Sequence, residues 1–338
     1  MTMWTARDMA SQTGRLAIVT GTSGIGLETA VALGSAGAEV ILAGRDPNKG
    51  SDAIAQLRAL VPGIIVRFET LDLANLISIS TFGQRVCAAH DRLDLLVNSA
   101  EVMMPPAREE TDNGFERQIG TNHLGHFALT AALLPLLRRG SGARVISLGS
   151  ILARHGAIDF DDLDAVRTYD PMTAYCRSKL ACLLFAFELQ RRSWSSSWGI
   201  PSIAAHPGIP RECIARLSVG RQTLKWRILN YFPLLSQPLA QQSLPVLFAA
   251  TSDNAYAGGY FGPDRFYELR GYPAVARVPP LSDDAKIATR LWEVSERLTG
   301  VSFKEAAVTR RPQQRSWSHE TDATGDLPFL PIPVSGLR

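Results

Sequence analysis

Tyr175 and Lys179 stand four residues apart in the stretch AYCRSKLACLLF, a spacing that puts both on one face of a helix. An ammonium held beside a phenol favours the phenolate and draws the tyrosine pKa from about 10 toward neutrality. A tyrosine so placed can pass a proton to or from a carbonyl or alcohol oxygen. Alone the pair is an ordinary helix-face spacing, so its weight depends on its company. A second chemical stretch, VTGTSGIG at residues 19–26, follows an apolar run and precedes a helix-like one. A strand, closely spaced glycines and a helix form the arrangement in which backbone N–H groups receive a pyrophosphate, with no side chain in its way. Gly21, Ser23, Gly24, Ile25 and Gly26 are the candidate contacts to a dinucleotide.

The end of the second strand decides which dinucleotide. An acid there binds a ribose 2′-hydroxyl, whereas a basic residue accommodates a 2′-phosphate. The strand ends ILAGRD, with no acid at Ala43 or Gly44 and with Arg45 next, which favours NADP(H) over NAD(H). Asp46 competes with that reading, because its carboxylate could turn toward the ribose.

These groups need a scaffold. From Arg15 the chain alternates β-rich apolar runs (residues 16–21, 39–45, 64–73, 93–100, 143–150 and 201–208) with segments of helical period (24–37, 49–61, 79–90, 122–139 and 174–192). That rhythm predicts an α/β fold, a single doubly wound parallel sheet with helices on both faces. Uniformly apolar strands are those buried on both sides. Residues 1–305 read as one domain, with an amphipathic insertion at about 209–242 that contains LKWRILNYFPLL. Residues 306–338 read as a polar, proline-rich tail.

The net charge of +3 over 338 residues, without a dense basic block, gives no reason to expect a nucleic-acid partner. The four cysteines form no CxxC pair and show no metal-ligand spacing, so they read as free thiols of a reducing compartment. His123, His126 and His206 lack carboxylate or cysteine partners at ligand spacing, and no metal is expected. No signal-like N-terminus and no apolar stretch of membrane-spanning length is apparent, so the expectation is a cytoplasmic protein without an integral membrane span.

Further motifs occur in a fixed order: LDL at 71–73, LLVNSA at 95–100, GTNHLGHFALT at 120–130, RVISLGS at 144–150, AYCRSKLA at 174–181 and AAHPG at 204–208. With the glycine turn they make the chain resemble the short-chain dehydrogenase/reductase family of classical type, and most of all bacterial relatives of retinol dehydrogenases. The segments GGYFGPDRFYELRGYP and RLWEVSERLTG are similar to the same group, so the resemblance spans about residues 4–303. It implies a Rossmann-type domain and a nicotinamide-dependent ketoreductase that interconverts a carbonyl and an alcohol.

By the same resemblance Tyr175 is the general acid/base, and Lys179 lowers its pKa and holds the nicotinamide ribose. Ser150 bonds the substrate oxygen, with Ser147 as its rival. Asn122 holds a water in the proton relay. Asp72 matches the adenine contact, and Leu73, Asn98, Ala100, Pro207 and Gly208 are further cofactor contacts. The insertion would lie over the substrate cleft, which implies a lipophilic small-molecule substrate, with Trp226, Tyr231 and Phe232 as contacts. A homo-oligomer is implied, paired through the helices at FALTAALLPLLRR and LACLLFAFELQRR.

Three positions depart from the family pattern. Only Thr22 and Ser23 separate the first two glycines, where three residues are usual. Glu101 stands where a glycine is usual, adding bulk and negative charge beside a polyanionic ligand. Glu212 replaces a threonine that normally helps hold the nicotinamide. All three touch cofactor contacts, which leaves an alternative: a non-redox use of Tyr175, such as dehydration, cyclisation or epimerisation, with a weakened cofactor site.

Overall fold

The computed structural model describes residues 3–209 and 237–304. The expectations for Cys213, Glu212, LKWRILNYFPLL with Trp226, Tyr231 and Phe232, and the tail fall outside the described residues.

Among the described residues eight strands form one sheet: β1 Leu16–Thr20, β2 Glu39–Gly44, β3 Val66–Thr70, β4 Leu95–Asn98, β5 Arg144–Leu148, β6 Ser202–Ala205, β7 Tyr260–Arg265 and β8 Arg270–Val275. Their order is β3-β2-β1-β4-β5-β6-β7-β8, parallel throughout except for the antiparallel β7–β8 pair. The helices are α1 Gly24–Ser35, α2 Pro47–Leu60, α3 Leu76–Ala89, α4 His126–Leu137, α5 Pro171–Ser195, α6 Leu239–Gln242, α7 Leu244–Thr251 and α8 Ala285–Thr299. Every residue of β1 and β4 is buried, because helices cover both faces of the sheet. The strand order reverses between β1 and β4, and that reversal opens a crevice at their carboxyl ends.

Local sequence starts these elements where the site needs them. Asp46 caps α2 by accepting from the Asn48 and Lys49 amides, with Pro47 in the first turn. Asp170 and Pro171 do the same for α5, which carries Tyr175 and Lys179. Ahead of α4, Ile119–Gly125 forms a π-turn. The buried Glu116 carboxylate starts it by accepting from the Gln118 and Ile119 amides at 2.9 and 2.8 Å.

Two features lie outside the sequence expectations. In the β7–β8 hairpin, Pro263 and Pro273 stand opposite each other, and at its tip Phe266, Tyr267 and Glu268 all have positive φ (52°, 57° and 68°). Helix α8 lies on α5 and seals an aromatic cluster: the Trp292 ring is 4.9 Å from Phe127 of α4, 5.9 Å from Phe185 of α5 and 4.4 Å from Phe303. The patch of α4 and α5 around Phe127 and Phe185, within the helices expected to pair subunits, is thus covered by α8 of the same chain.

Candidate active site

The glycine turn is built by backbone. Gly21 has φ +101° and its N–H donates to Ala43 O at 2.8 Å, while Gly24 has φ +57°; both conformations favour glycine. A Cβ at Gly26 would stand 2.8 to 2.9 Å from Gly21 O, Thr20 O and Ser99 Oγ, so only glycine lets α1 sit this close to β1. Although one residue shorter than expected, the turn still makes the strand-to-helix passage, because α1 begins at its second glycine. Ser23 is the N-cap and its side chain makes no capping bond, which leaves the first-turn N–H groups available to an anion.

Thr20, which the sequence reading did not single out, joins this turn to the rest of the crevice. Its hydroxyl accepts from the Ser99 and Ala100 amides at 2.8 and 3.0 Å and meets His126 Nε2 at 3.0 Å. His126 Nδ1 donates to Asn122 O at 2.9 Å, which in the neutral ring leaves Nε2 to accept from Thr20. Burial above all, with Lys179 adding to it, lowers the His126 pKa to about 4. Asn98 donates to Thr130 Oγ1. A β-strand ending in a small hydroxyl residue is the only signal that could have marked Thr20 in advance.

At the other end of the crevice stand Tyr175 and Lys179, one helical turn apart and both buried. Lys179 Nζ donates to Leu148 O at 3.1 Å and pairs with Glu101 Oε2 at 2.5 Å. The same carboxylate oxygen accepts from the Tyr175 hydroxyl at 3.2 Å. Glu101, expected only to burden the cofactor, is therefore a direct partner of both chemical groups. Asn122 puts it there: its amide clasps the next residue, accepting from Val102 N at 2.7 Å and donating to Val102 O at 3.0 Å. The amide also donates to Ser178 Oγ. The Asn122 carbonyl receives His126 Nδ1 and Cys182 Sγ.

One cleft gathers most of the remaining candidates. Its walls include Ile25 of the glycine turn, Glu101, Ser150, Tyr175, Pro207 and Gly208. Ser150 caps the short 3-10 turn Ile151–His155. Its rival Ser147 is buried within β5, with no hydrogen-bond partner for its hydroxyl among the described residues. Behind Pro207 and Gly208, Glu268 of the hairpin tip meets His206 Nε2 at 3.2 Å and Arg154 at 3.1 Å, and it accepts from the Arg277 amide. Burial holds the His206 pKa below its usual value against the pull of Glu268.

Arg45 follows β2 and is exposed, while its competitor Asp46 is committed to capping α2. Asp72 bonds the Ala74 amide, and Leu73 packs under Gly125. His123 Nε2 meets Ser295 Oγ of α8 at 2.8 Å, so the three histidines weighed as metal ligands each contact a protein group. Among the described residues no cluster of His, Cys, Asp or Glu has metal-binding geometry.

The crevice suits a dinucleotide. The turn leaves open N–H groups beside a glycine that no larger residue can replace, and Lys179 has two of its three N–H donors accounted for, leaving one to a ribose hydroxyl.

Comparison with known proteins agrees. The short chain dehydrogenase family model matches residues 15–211. Mouse (Mus musculus) retinol dehydrogenase 13 is 38% identical over 308 residues, 88% of this chain and 87% of the relative. Mouse polyprenol dehydrogenase is 37% identical over 294 residues, 86% and 85% of the two chains. Among solved structures, an uncharacterized protein from Mycobacterium paratuberculosis superposes with a TM-score of 0.74 at 34% identity, over 89% of this chain and 99% of that one. The Pseudomonas aeruginosa RhlG/NADP active-site complex gives 0.57 at 26% identity, over 74% and 94%. These relatives do not favour a non-redox use of the tyrosine. The chain belongs to the short chain dehydrogenase family and is an NAD(P)-dependent oxidoreductase that interconverts a carbonyl and an alcohol.

Proposed function

We propose that this enzyme is a ketoreductase that uses NADP(H) in preference to NAD(H) and acts on a lipophilic carbonyl or alcohol, with Tyr175 as general acid/base. The observation that carries this reading is the single cleft bordered by Ile25 of the glycine turn together with Ser150, Tyr175, Pro207 and Gly208. Met103, Leu148, Ile151, Leu152 and Ile209 make its other walls apolar. The names of the retinol and polyprenol dehydrogenase relatives agree with a substrate of that character. Arg45, with Asp46 withdrawn into a helix cap, supports the 2′-phosphate, as does the NADP held by the RhlG complex.

In this reading Gly21, Ser23, Gly24, Ile25 and Gly26 hold the pyrophosphate, Asp72 and Leu73 the adenine side, Asn98 and Ala100 the path between, and Pro207 and Gly208 the nicotinamide side. The bound nicotinamide supplies a hydride to the carbonyl carbon or receives one from the alcohol. Tyr175 gives the oxygen its proton in reduction and takes it back in oxidation, while Ser150 bonds the same oxygen. Lys179 holds the ribose and keeps a positive charge beside the phenol. Asn122, whose carbonyl already receives two protein donors, acts by positioning Glu101 and Val102.

The same reading takes residues 1–305 as one domain followed by a tail. It places the enzyme in the cytoplasm, and among the described residues no helix is long and apolar enough to cross a membrane. Self-association would use a surface other than the Phe127–Phe185 patch.

The test is turnover with retinal, a polyprenal and a short polar aldehyde, each with NADPH and with NADH. The apolar aldehydes with NADPH are expected to be fastest, and Tyr175→Phe to lower kcat by roughly 10²–10⁴. Equal use of the polar aldehyde, or faster turnover with NADH, would remove the corresponding half of the reading.

A further inference from the structure

Glu101 is an ionised side chain that touches both chemical groups of the cleft. Its Oε2 receives the Tyr175 hydroxyl at 3.2 Å and pairs with Lys179 at 2.5 Å. Those partners are nearly enclosed, with the Lys179 side chain 2% exposed, whereas the Glu101 side chain is 25% exposed and forms part of the cleft wall. The carboxylate thus has an enclosed side toward the phenol and an open side toward solvent.

The route implied by the resemblance, through a water on Asn122, is poorly supplied here. The Asn122 amide is spent on Val102 and Ser178, and both lone pairs of its carbonyl are engaged, by His126 Nδ1 and Cys182 Sγ. Among the described residues, the titratable groups facing Glu101 and Tyr175 from the packed elements include Lys179, with Cys182 and His126 behind it. The His126 imidazole is neutral and burial holds the Cys182 thiol up at about 11, so neither is poised to carry this proton near neutrality.

We propose that Glu101 is a catalytic residue that carries the proton between Tyr175 and solvent. This rests on the functional reading given above. In reduction, the phenol O–H bond breaks as the substrate oxygen takes the proton, while the carbonyl carbon is reduced by hydride from the dinucleotide, which is oxidised. The Glu101 carboxylate then takes a proton from water and passes it to the phenolate, and so ends as the carboxylate it began as. In oxidation the same proton runs outward, from alcohol to phenolate to carboxylate to solvent. Lys179 holds the carboxylate within reach of the phenol through both directions.

Glu101→Gln keeps the size and the hydrogen bonds but cannot carry the proton. It is expected to lower kcat about tenfold or more while the Kd for NADPH, read by calorimetry, changes less than about threefold. Glu101→Gly opens the same position, and added formate is expected to restore its kcat in a concentration-dependent way. Wild-type kcat in Glu101→Gln would overturn the proposal. So would a rise in kcat with tighter NADPH binding in Glu101→Gly, which would make the carboxylate an obstruction.

A second readout needs no cofactor. The tyrosinate absorbance of each protein, less that of its Tyr175→Phe counterpart, reports Tyr175 alone. Loss of the carboxylate leaves Lys179 unopposed, so the ionisation is expected to move about one pH unit lower in Glu101→Gln. No movement would overturn the coupling of the two groups. An active wild type with a fully active Glu101→Gln sinks the relay and leaves the functional reading standing. A wild type that neither binds nor turns over either dinucleotide sinks both, and the titration then judges the Glu101–Tyr175 contact by itself.

Discussion

The two ends of the crevice are made differently. The glycine end is a matter of backbone shape: φ angles that favour glycine at Gly21 and Gly24, and a Gly26 with no room for a methyl group. The tyrosine end is a matter of charge, an ammonium and a carboxylate gathered on one phenol. Shape of the first kind survives the loss of a residue, because the helix simply starts at the second glycine. Charge of the second kind is altered by a single substitution, since glycine to Glu101 changes the partner of both Tyr175 and Lys179. Deviations from a family pattern therefore carry unequal weight, and the one that brings a charge onto Tyr175 and Lys179 changes more contacts than the one that shortens a turn.

The comparison can be broken first at the glycine end. Gly26→Ala must push the helix off β1 against three oxygen atoms, an overpacking cost of about 1–3 kcal/mol. If that cost falls on the bound form, NADPH affinity drops roughly 10- to 100-fold by calorimetry, while the Tyr175 ionisation stays where it was. A shift in that ionisation would mean that the two ends are not separable.

His126 is the joint between them, bonded to Thr20 on one side and to Asn122 on the other. Burial lowers its pKa to about 4 and that of His123 to about 3, against 6.5 in the unfolded chain. The unfolded state therefore binds more protons between those values, and stability that is complete above about pH 6.5 is lost as the pH falls toward 4. Each histidine contributes on the order of 1.4 kcal/mol per pH unit within that window. Urea unfolding at pH 7, 6 and 5 should show the decline, and His126→Gln should make it shallower; an unchanged slope would remove His126 from the joint.

The smallest effect sharpens the glycine end alone. Arg45→Ser removes an exposed charge, worth about 1 kcal/mol toward a 2′-phosphate. NADPH affinity is expected to fall roughly fivefold by calorimetry with NADH unchanged. A parallel loss for both dinucleotides would assign Arg45 to something other than the phosphate.

Much of this was legible in the sequence, for a physical reason. Strands buried on both faces must be apolar and crossover helices must repeat every three to four residues, so β1 to β6 and α1 to α5 announce themselves. Tyr175 and Lys179 were legible because their relation is local, one helical turn. The β7–β8 hairpin was not, because Pro263 and Pro273 read as turn residues and are tolerated only in a pair that leaves their missing N–H groups unneeded. The role of Glu101 was not either: 74 residues separate it from Tyr175, and only the clasp of Asn122 on Val102 aims it. Thr20 stayed hidden because a hydroxyl at a strand end has many uses, and only tertiary contacts select among them.

The π-turn at Ile119–Gly125 holds a lesson about how such a site persists. A π-turn is in effect one residue more than an α-helix needs, tolerated at functional positions despite poorer local bonding. Deleting a single residue there would let the segment relax into an ordinary helix, continuous with α4. Asn122 would then be carried about 100° around the helix relative to His126, off the Val102 backbone, and Glu101 would lose its aim. On the relay proposed for Glu101, the segment is thus a place where a better helix makes a poorer enzyme, and where selection for stability alone would erase the chemistry.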